Sequence, residues 1–534
     1  MSQKSRTKLS QRNFIFSLLG RVIGMITAFV GRGIFVKTLN SEYLGLGGFF
    51  GNIFSVISLC ELGIGAAIAQ SLYKPLADND DDAVTAAMGF FSKVNTVVAT
   101  VTLILSVCAM PILPLLAKSN ISYRELYMAY ILFTLHTAIS YMLSPKRNLV
   151  VCDQKLYVVT VANTVMSVVA LALQSAVLIL SKSYIAYLVT RILLLTVRDI
   201  WINRYADKKY PFLSKKIRPQ KGYYRKISEN VKALLWHKIG GTLCRSTDSL
   251  LLSVYVGLSG MGKYSNYALV IGTVGAFFDV AINAASASVG NLGAVDRAEK
   301  SEQVMRKMYF LNFFLLTLGL CVLVATVNPF VTLWLGENMT FSDFEMGIIV
   351  ACFYVSCVRD PVQIFLHTYG IFRQTELIPV VRAAVNFVLS VFFVKRMGMS
   401  GVFLGTLIST VTVPLYFEVR QLYKYGFGNR NAKPFLKEMC SYIAISTLLA
   451  ITCFAVTRRI PCTAVGVLTK GIISLIISLC ALCIVYSKSS YFEYCKNMLY
   501  KVMPLKHDVK RRKVQVQENQ KQTIKAYTFK SFLR

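Results

Sequence analysis

Residues 305–335 read MRKMYFLNFFLLTLGLCVLVATVNPFVTLWL, and no charged side chain lies between Lys307 and Glu337. An α-helix rises about 1.5 Å per residue, so roughly 20 apolar residues cross the hydrocarbon core of a bilayer, which is about 30 Å thick. The stretch is long enough to span a membrane as a helix. Similar apolar stretches recur along the chain to about residue 487. The sequence therefore predicts an integral membrane protein with many crossings.

The composition agrees with this prediction. Of 534 residues, 55% are hydrophobic and 16% are charged, whereas about a quarter of the residues in a soluble domain are charged. The net charge of +33 comes from lysines and arginines in short loops and in the C-terminal tail. This distribution is typical of cytoplasmic loops that face anionic lipids, and it argues against nucleic-acid binding. We expect anionic membrane lipids as partners and no nucleic acid.

Hydropathy over windows near 19 residues predicts an all-α polytopic protein with about fourteen transmembrane helices. The basic N-terminus lacks a small-residue cleavage site at the right distance, so the first helix is interpreted as retained. The predicted helices cover residues 13–37, 43–70, 84–110, 122–144, 156–181, 183–203, 232–256, 261–289, 305–335, 344–370, 375–395, 399–423, 437–457 and 464–487.

A strongly basic segment divides the first six helices from the next six. Lysine and arginine are much more frequent in the loops on the side of this segment, which predicts that the segment and both termini are cytoplasmic. The predicted organisation is an N-terminal six-helix lobe (1–204), a basic cytoplasmic loop (205–231), a C-terminal six-helix lobe (232–423), transmembrane helices 13 and 14 (424–487) and a basic cytoplasmic tail (488–534).

A weak internal sequence repeat occurs where each lobe begins. Residues 21–46 run from a helix with several polar side chains through a short loop to Tyr43-Leu-Gly-Leu, and residues 237–264 end similarly in Met261-Gly-Lys-Tyr. Because each lobe has an even number of helices, both lobes start from the same side of the membrane. The sequence therefore predicts a parallel repeat with its axis along the membrane normal.

Two short motifs resemble catalytic or nucleotide-binding signatures but lack the context that those sites need. Residues 257–263 match the first seven positions of a P-loop, but Tyr264 replaces the Ser or Thr that would bind magnesium. The aspartates of 78–82 contain a D-x-D spacing without a soluble nucleotide-binding domain around them. The four histidines are scattered without ligand spacing. We therefore expect no cofactor, no metal site and no catalytic residue.

Ionisable residues inside the predicted helices are the most informative feature, because each costs at least about 2.5–3.5 kcal/mol at the bilayer centre unless it faces a polar cavity or a partner. The cations, which we expect to bind an anionic substrate, are Arg21, Arg32, Lys238, Arg245, Arg359 and Arg382. The acids, candidates for ion coupling or charge balance, are Glu61, Asp248, Asp279 and Asp360. The alternative is that these charges pair with one another or snorkel to an interface.

Several segments resemble the bacterial polysaccharide transporters and O-antigen flippases, within the superfamily that also contains multidrug-extrusion proteins and lipid II flippases. The resemblance covers roughly residues 10 to 490 and is carried by loose motifs rather than by a catalytic signature. Those motifs are KTLNSEYLGLG at 37–47, ELGIGAAI at 61–68, LYKPLA at 72–77, STDSLLL at 246–252 and GKYSNY at 262–267.

This resemblance implies a fourteen-helix fold with two six-helix lobes around a central cavity. It implies a flippase, not an enzyme, that moves an undecaprenyl-diphosphate-linked oligosaccharide from the inner to the outer leaflet of the bacterial cytoplasmic membrane by alternating access. The resemblance further implies a role in the biosynthesis of cell-surface polysaccharide in the cell envelope, with other polysaccharide assembly proteins as partners. Energy would come from an ion gradient or from the concentration difference of the substrate.

Two other functions remain open. An ion-coupled multidrug or metabolite antiporter of the same fold would have a cavity richer in acids than in arginines, and here the arginines outnumber the acids. A membrane glycan polymerase would normally need a large extracytoplasmic loop. The predicted loops on that side are all about a dozen residues or shorter.

Overall fold

The computed structural model describes residues 3–57, 64–214, 246–293, 298–371, 373–494 and 496. The secondary structure of these residues is helical, without strands. Ten helices in the described part are long and apolar enough to cross a membrane. Helices satisfy their own backbone hydrogen bonds, so they are the expected structure for apolar segments in lipid. The predicted all-α polytopic membrane fold is confirmed.

The helices before the basic segment are numbered here in chain order. They are α1 Gln3–Thr38, α2 Ser41–Ile57, α3 Ile64–Asp78, α4 Asp81–Ala109, α5 Leu113–Leu116, α6 Tyr123–Cys152, α7 Leu156–Ser181 and α8 Tyr184–Lys209.

A second series follows the basic segment and opens with α9 at residues 246–251. The others are α10 Leu258–Gly293, α11 Ala298–Leu335, α12 Asp343–Val358, α13 Asp360–Thr368, α14 Ile378–Met397, α15 Met399–Thr412, α16 Pro414–Gln421, α17 Lys433–Thr457 and α18 Ala464–Tyr486.

Proline explains where two predicted helices divide. The predicted helix 344–370 is α12 and α13, because Pro361 lacks a backbone N–H and disturbs the hydrogen-bond ladder near Arg359. The predicted helix 399–423 divides in the same way at Pro414 into α15 and α16. Each pair still forms one candidate span. These breaks matter because charged residues lie beside them.

The total of about fourteen crossings stays a prediction. The predicted second and seventh helices contain residues 58–63 and 232–245, which lie outside the described part of the chain. Helix α8 is formed at 184–209 but is not among the ten apolar spans. Its charged side chains include Arg191 and Arg198, and both line a cavity.

The helices before the basic segment pack mainly with one another, except α2, and those from α11 to α18 also pack mainly within their own group, whereas α2 and α10 pack chiefly on each other. The largest contact between the two groups joins α2 and α10. Helices α17 and α18 pack on α11 and therefore extend the second group. Buried aromatic side chains fill both groups, such as Phe49 and Phe50 in the first and Phe310 and Phe313 in the second. The exact lobe boundaries remain a sequence prediction.

Candidate functional site

A cavity of about 630 Å³ lies among α1, α2, α7, α8 and α10, and we call it the N-terminal cavity. Its charged lining residues are Arg32, Arg191 and Arg198. No aspartate or glutamate of the described chain lines it. At membrane depth, such an excess of positive charge is costly unless water or an anion fills the space.

Arg32 reaches the cavity from α1 and is half-buried. Its Nη1 donates a hydrogen bond to Ser265 Oγ at 2.8 Å and makes a longer contact with Asn266 Oδ1 at 3.5 Å. Both partners are uncharged residues on α10, so these bonds orient the guanidinium across the two helix groups without neutralising it.

Arg191 and Arg198 are seven residues apart on α8, which places them two turns apart on one face. Arg198 pairs with the buried carboxylate of its neighbour Asp199, at 2.8 Å from Nη2 to Oδ1, and Arg147 Nη1 lies 3.6 Å from the same oxygen. Arg191 forms no hydrogen bond or ion pair with any residue that the structure describes. One carboxylate therefore faces two arginines, and the cluster keeps net positive charge.

The remaining walls of the N-terminal cavity provide neutral groups suited to a polar ligand. Asn163, Ser167 and Gln174 line it from α7. Tyr184 and Tyr187 line it from α8, and their rings stack with centroids 6.3 Å apart. Amides and hydroxyls both donate and accept hydrogen bonds, as a hydroxyl-rich ligand requires.

A second cavity of about 740 Å³, the C-terminal cavity, lies among α9, α10 and α12 to α16. Its clearest electrostatic feature is a bidentate pair between Arg359 and Glu418, with Nη2–Oε1 at 2.6 Å and Nε–Oε2 at 3.1 Å. Both side chains are buried. The proline breaks at Pro361 and Pro414 adjoin these residues, and they bring the two helix segments to the cavity wall.

A cluster of oxygen atoms begins at another wall of the C-terminal cavity, which Asp248 and Thr406 line, and continues into the protein at the fully buried Asn386 and Ser390. Thr406 Oγ1 donates to Asp248 Oδ2 at 2.7 Å and accepts from Asn386 Nδ2 at 2.8 Å, while Ser390 Oγ donates to the Val402 carbonyl at 3.1 Å. The buried atoms Asp248 Oδ1 and Asn386 Oδ1 have no hydrogen-bond partner among the described residues. Such a set of carboxylate, amide, hydroxyl and carbonyl oxygens suits a small hard cation or a proton.

The close packing of α14 on α15 produces this cluster. A Cβ atom added at Gly405 would lie 2.7 Å from the Ser390 backbone nitrogen, and one at Gly401 would lie 2.6 Å from that of Val394. The two helices therefore touch backbone to backbone at glycines, and Asn386 comes within hydrogen-bond distance of Thr406.

Five of the predicted site residues line one of the two cavities. Arg32 lines the N-terminal cavity; Arg359, Arg382, Asp248 and Asp360 line the C-terminal cavity.

Arg21 lines neither cavity; it is exposed, and its Nη1 donates to the Ala276 carbonyl of α10 at 2.9 Å. Lys238, Arg245 and Glu61 lie outside the described residues, as does the side chain of Asp279. Their predicted roles stay predictions.

Sequence reasoning missed Arg191, Arg198 and Glu418. All three were detectable, since each is an ionisable residue inside a predicted helix. The two arginines are seven residues apart, as are the predicted ligands Lys238 and Arg245. The partner of Arg359 was not detectable, because nothing in the sequence indicates which acid faces it.

No family model and no curated protein matches the sequence. Solved structures do match the fold. An inward-facing multidrug resistance MATE family transporter of the MOP superfamily gives a TM-score of 0.60 at 11% identity, covering 74% of this chain and 94% of the other. Lipid II flippase MurJ in an inward closed conformation gives 0.63 at 10% identity, covering 89% and 99%.

A MOP superfamily transporter from Pyrococcus furiosus, described as having a binding pocket of reverse polarity, gives a TM-score of 0.52 at 13% identity, covering 80% of this chain and 97% of the other. At these identities the likeness shows the fold alone, a polytopic helical membrane fold similar to that of these transporters. The narrower resemblance to polysaccharide transporters remains a prediction.

Proposed function

We propose that this protein is a flippase that moves an undecaprenyl-diphosphate-linked oligosaccharide from the inner to the outer leaflet of the bacterial cytoplasmic membrane by alternating access. The observation that supports this most is the N-terminal cavity, lined by Arg32, Arg191 and Arg198 without an acidic lining residue in the described chain. Arginine offers a planar fork of donors that matches phosphate oxygens.

The physical task agrees with such a cavity. A diphosphate with a hydrophilic glycan cannot cross about 30 Å of hydrocarbon unaided, whereas the isoprenoid chain can stay in lipid. The arginines would stabilise the diphosphate or acidic sugars, and the neutral side chains of α7 would bind sugar hydroxyls. Arg21, Arg359 and Arg382 are also proposed to bind the anionic groups of the substrate. Arg359 would do so while it is paired with Glu418.

The C-terminal cavity would supply the coupling. Asp248, Asn386 and Thr406 bring together oxygens suited to a co-transported sodium ion or proton, as cargo rather than as a resident metal. Binding of a cation there would neutralise a buried carboxylate, so it would bias the equilibrium between the two open conformations. The remaining acids Asp360, Asp279 and Glu61 would balance charge.

The test measures binding of undecaprenyl diphosphate to the purified protein in nanodiscs. Arg191→Gln removes a charge-assisted hydrogen bond worth about 1.5–3 kcal/mol, which weakens binding roughly 10- to 150-fold. Arg191→Lys should keep part of the affinity, because charge survives while the fork is lost. The matched control is Arg396→Gln, an exposed arginine that packs on Phe392 away from both cavities.

Transport is then scored as appearance of the lipid-linked glycan in the outer leaflet, relative to protein level in the membrane. The flippase proposal fails if Arg191→Gln and Arg198→Gln both bind the diphosphate as wild type does. Binding of cationic drugs by wild type, with no binding of the diphosphate, would instead establish the antiporter alternative.

A further inference from the structure

Helices α2 and α10 approach each other most closely at two glycines, Gly45 of α2 and Gly262 of α10, and each glycine lies against the backbone of the other helix. A Cβ atom built on Gly45 would overlap the carbonyl group of Leu258 and lie 3.1 Å from the Gly262 nitrogen. A Cβ atom built on Gly262 would overlap the carbonyl group of Ser41 and lie 3.1 Å from the Gly45 nitrogen. Each glycine therefore meets the residue four positions before the other, as across a two-fold axis.

The shift in residue number that takes Ser41 to Leu258 also takes Gly45 to Gly262, and it differs by one residue from the register that aligns Tyr43–Leu46 with Met261–Tyr264. The same shift takes Phe50 to Tyr267, and both of these rings are fully buried. The reciprocal packing thus defines a pseudo-two-fold axis that passes between the two glycines.

Only glycine is compatible with this approach. The atoms that an added Cβ would meet belong to the backbone of the opposite helix, and backbone cannot rotate away as a flexible side chain can. A hydrogen bond next to the two glycines also joins α2 and α10, because Ser41 Oγ lies 2.8 Å from Ser259 Oγ. Gly257, with a φ of 90°, forms the turn that starts α10 at this place.

The contact lies at the junction of α1 and α2, next to the C-terminal end of α1. The N-terminus of the chain is at the other end of α1. On the proposed topology the contact is at the outer face of the membrane. We propose that Gly45 and Gly262 form the outer gate of the protein: their contact closes the crevice between the lobes, and a side chain at either position holds the lobes apart. This inference rests on the alternating access of the proposed function. The contact between the two glycines, however, can be tested without any substrate.

The first experiment therefore needs no substrate. In the Ser41→Cys/Ser259→Cys protein, mild oxidation should form a disulfide, detected as a cross-linked peptide by mass spectrometry against the native cysteines. Adding Gly45→Ala or Gly262→Ala should slow this cross-link at least tenfold. Gly51→Ala on the same helix and Gly89→Ala on α4 should leave the rate unchanged, because an added Cβ at either meets nothing within 4 Å. Cross-linking at the parent rate with Gly45→Ala would overturn the gate.

The second measurement stays informative if the alanine variants do not accumulate. Oxidation of the Ser41→Cys/Ser259→Cys protein should stop transport, and a reductant should restore it. Transport at full rate while the cross-link is complete would overturn the gate. If the cross-link forms as expected but no lipid-linked glycan moves in either state, the proposed substrate is wrong, whereas the contact geometry stands.

Discussion

The ion pair between Arg359 and Glu418 gives the sharpest energetic prediction. Arg359 is 9% exposed and Glu418 is 7% exposed, so neither charge can be solvated as it would be in water. Glu418→Gln removes one charge but preserves size and shape. Gln363, which donates to Glu418 Oε1 at 3.3 Å, cannot supply the missing negative charge.

The size of the effect follows from this burial. Breaking a buried ion pair by removing one partner costs about 3–5 kcal/mol, because the other charge stays buried without compensation. Removing both charges avoids that penalty. Arg359→Gln/Glu418→Gln should therefore be more stable than Glu418→Gln alone, and the coupling energy between the two sites should reach about 2 kcal/mol.

The assay is the free energy of unfolding in a detergent titration that is reversible for the purified protein, measured for the wild type, both single variants and the double variant. Glu337→Gln is the control, since Glu337 is exposed and its side chain makes no hydrogen bond or ion pair with a described residue. It should change stability by less than about 0.5 kcal/mol. A cost below about 1 kcal/mol for Glu418→Gln, or a double variant no more stable than this single one, would refute the reasoning.

Three further predictions concern coupling, topology and packing. Asp248→Asn removes the carboxylate of the oxygen cluster and should abolish the response of transport to an imposed sodium or proton gradient; an unchanged response would exclude this site. Tags at Lys221 and on the C-terminal tail should both be cytoplasmic, and labelling of either by an impermeant reagent in intact cells would contradict the helix count. Gly405→Ala should destabilise the protein by about 1–3 kcal/mol in the same unfolding assay, because the new Cβ overlaps Ser390, while Gly347→Ala, with open space around it, should not destabilise it.

Local chemistry was sufficient for the class of fold. Long apolar stretches such as 305–335 have one stable form in lipid, a helix that pairs its own backbone groups. Composition and length therefore predicted the end of α11 and both ends of α18 to within one residue, whereas the polar start of α11 at Ala298 was missed. The breaks at Pro361 and Pro414 were also readable in principle, because proline acts through its own missing N–H.

The site could be predicted only in part. The cost of a charge inside an apolar helix is a local property, and it singled out Arg32, Arg359 and Arg382 without knowledge of the fold. Whether such a charge lines a cavity, pairs or faces solvent depends on residues far away in the chain. Arg359 pairs with Glu418, whereas Arg21 donates to a backbone carbonyl.

The sequence by itself determined that this chain is a helical membrane protein and that cations lie inside its helices. Only the tertiary structure decided which of those cations share a space without acids, and that Gly45 meets Gly262 across the two helix groups. The reason is physical: helix formation and membrane burial depend on neighbours within a few turns, while cavities and close helix contacts arise from packing between segments about two hundred residues apart, where register and shape decide the contacts.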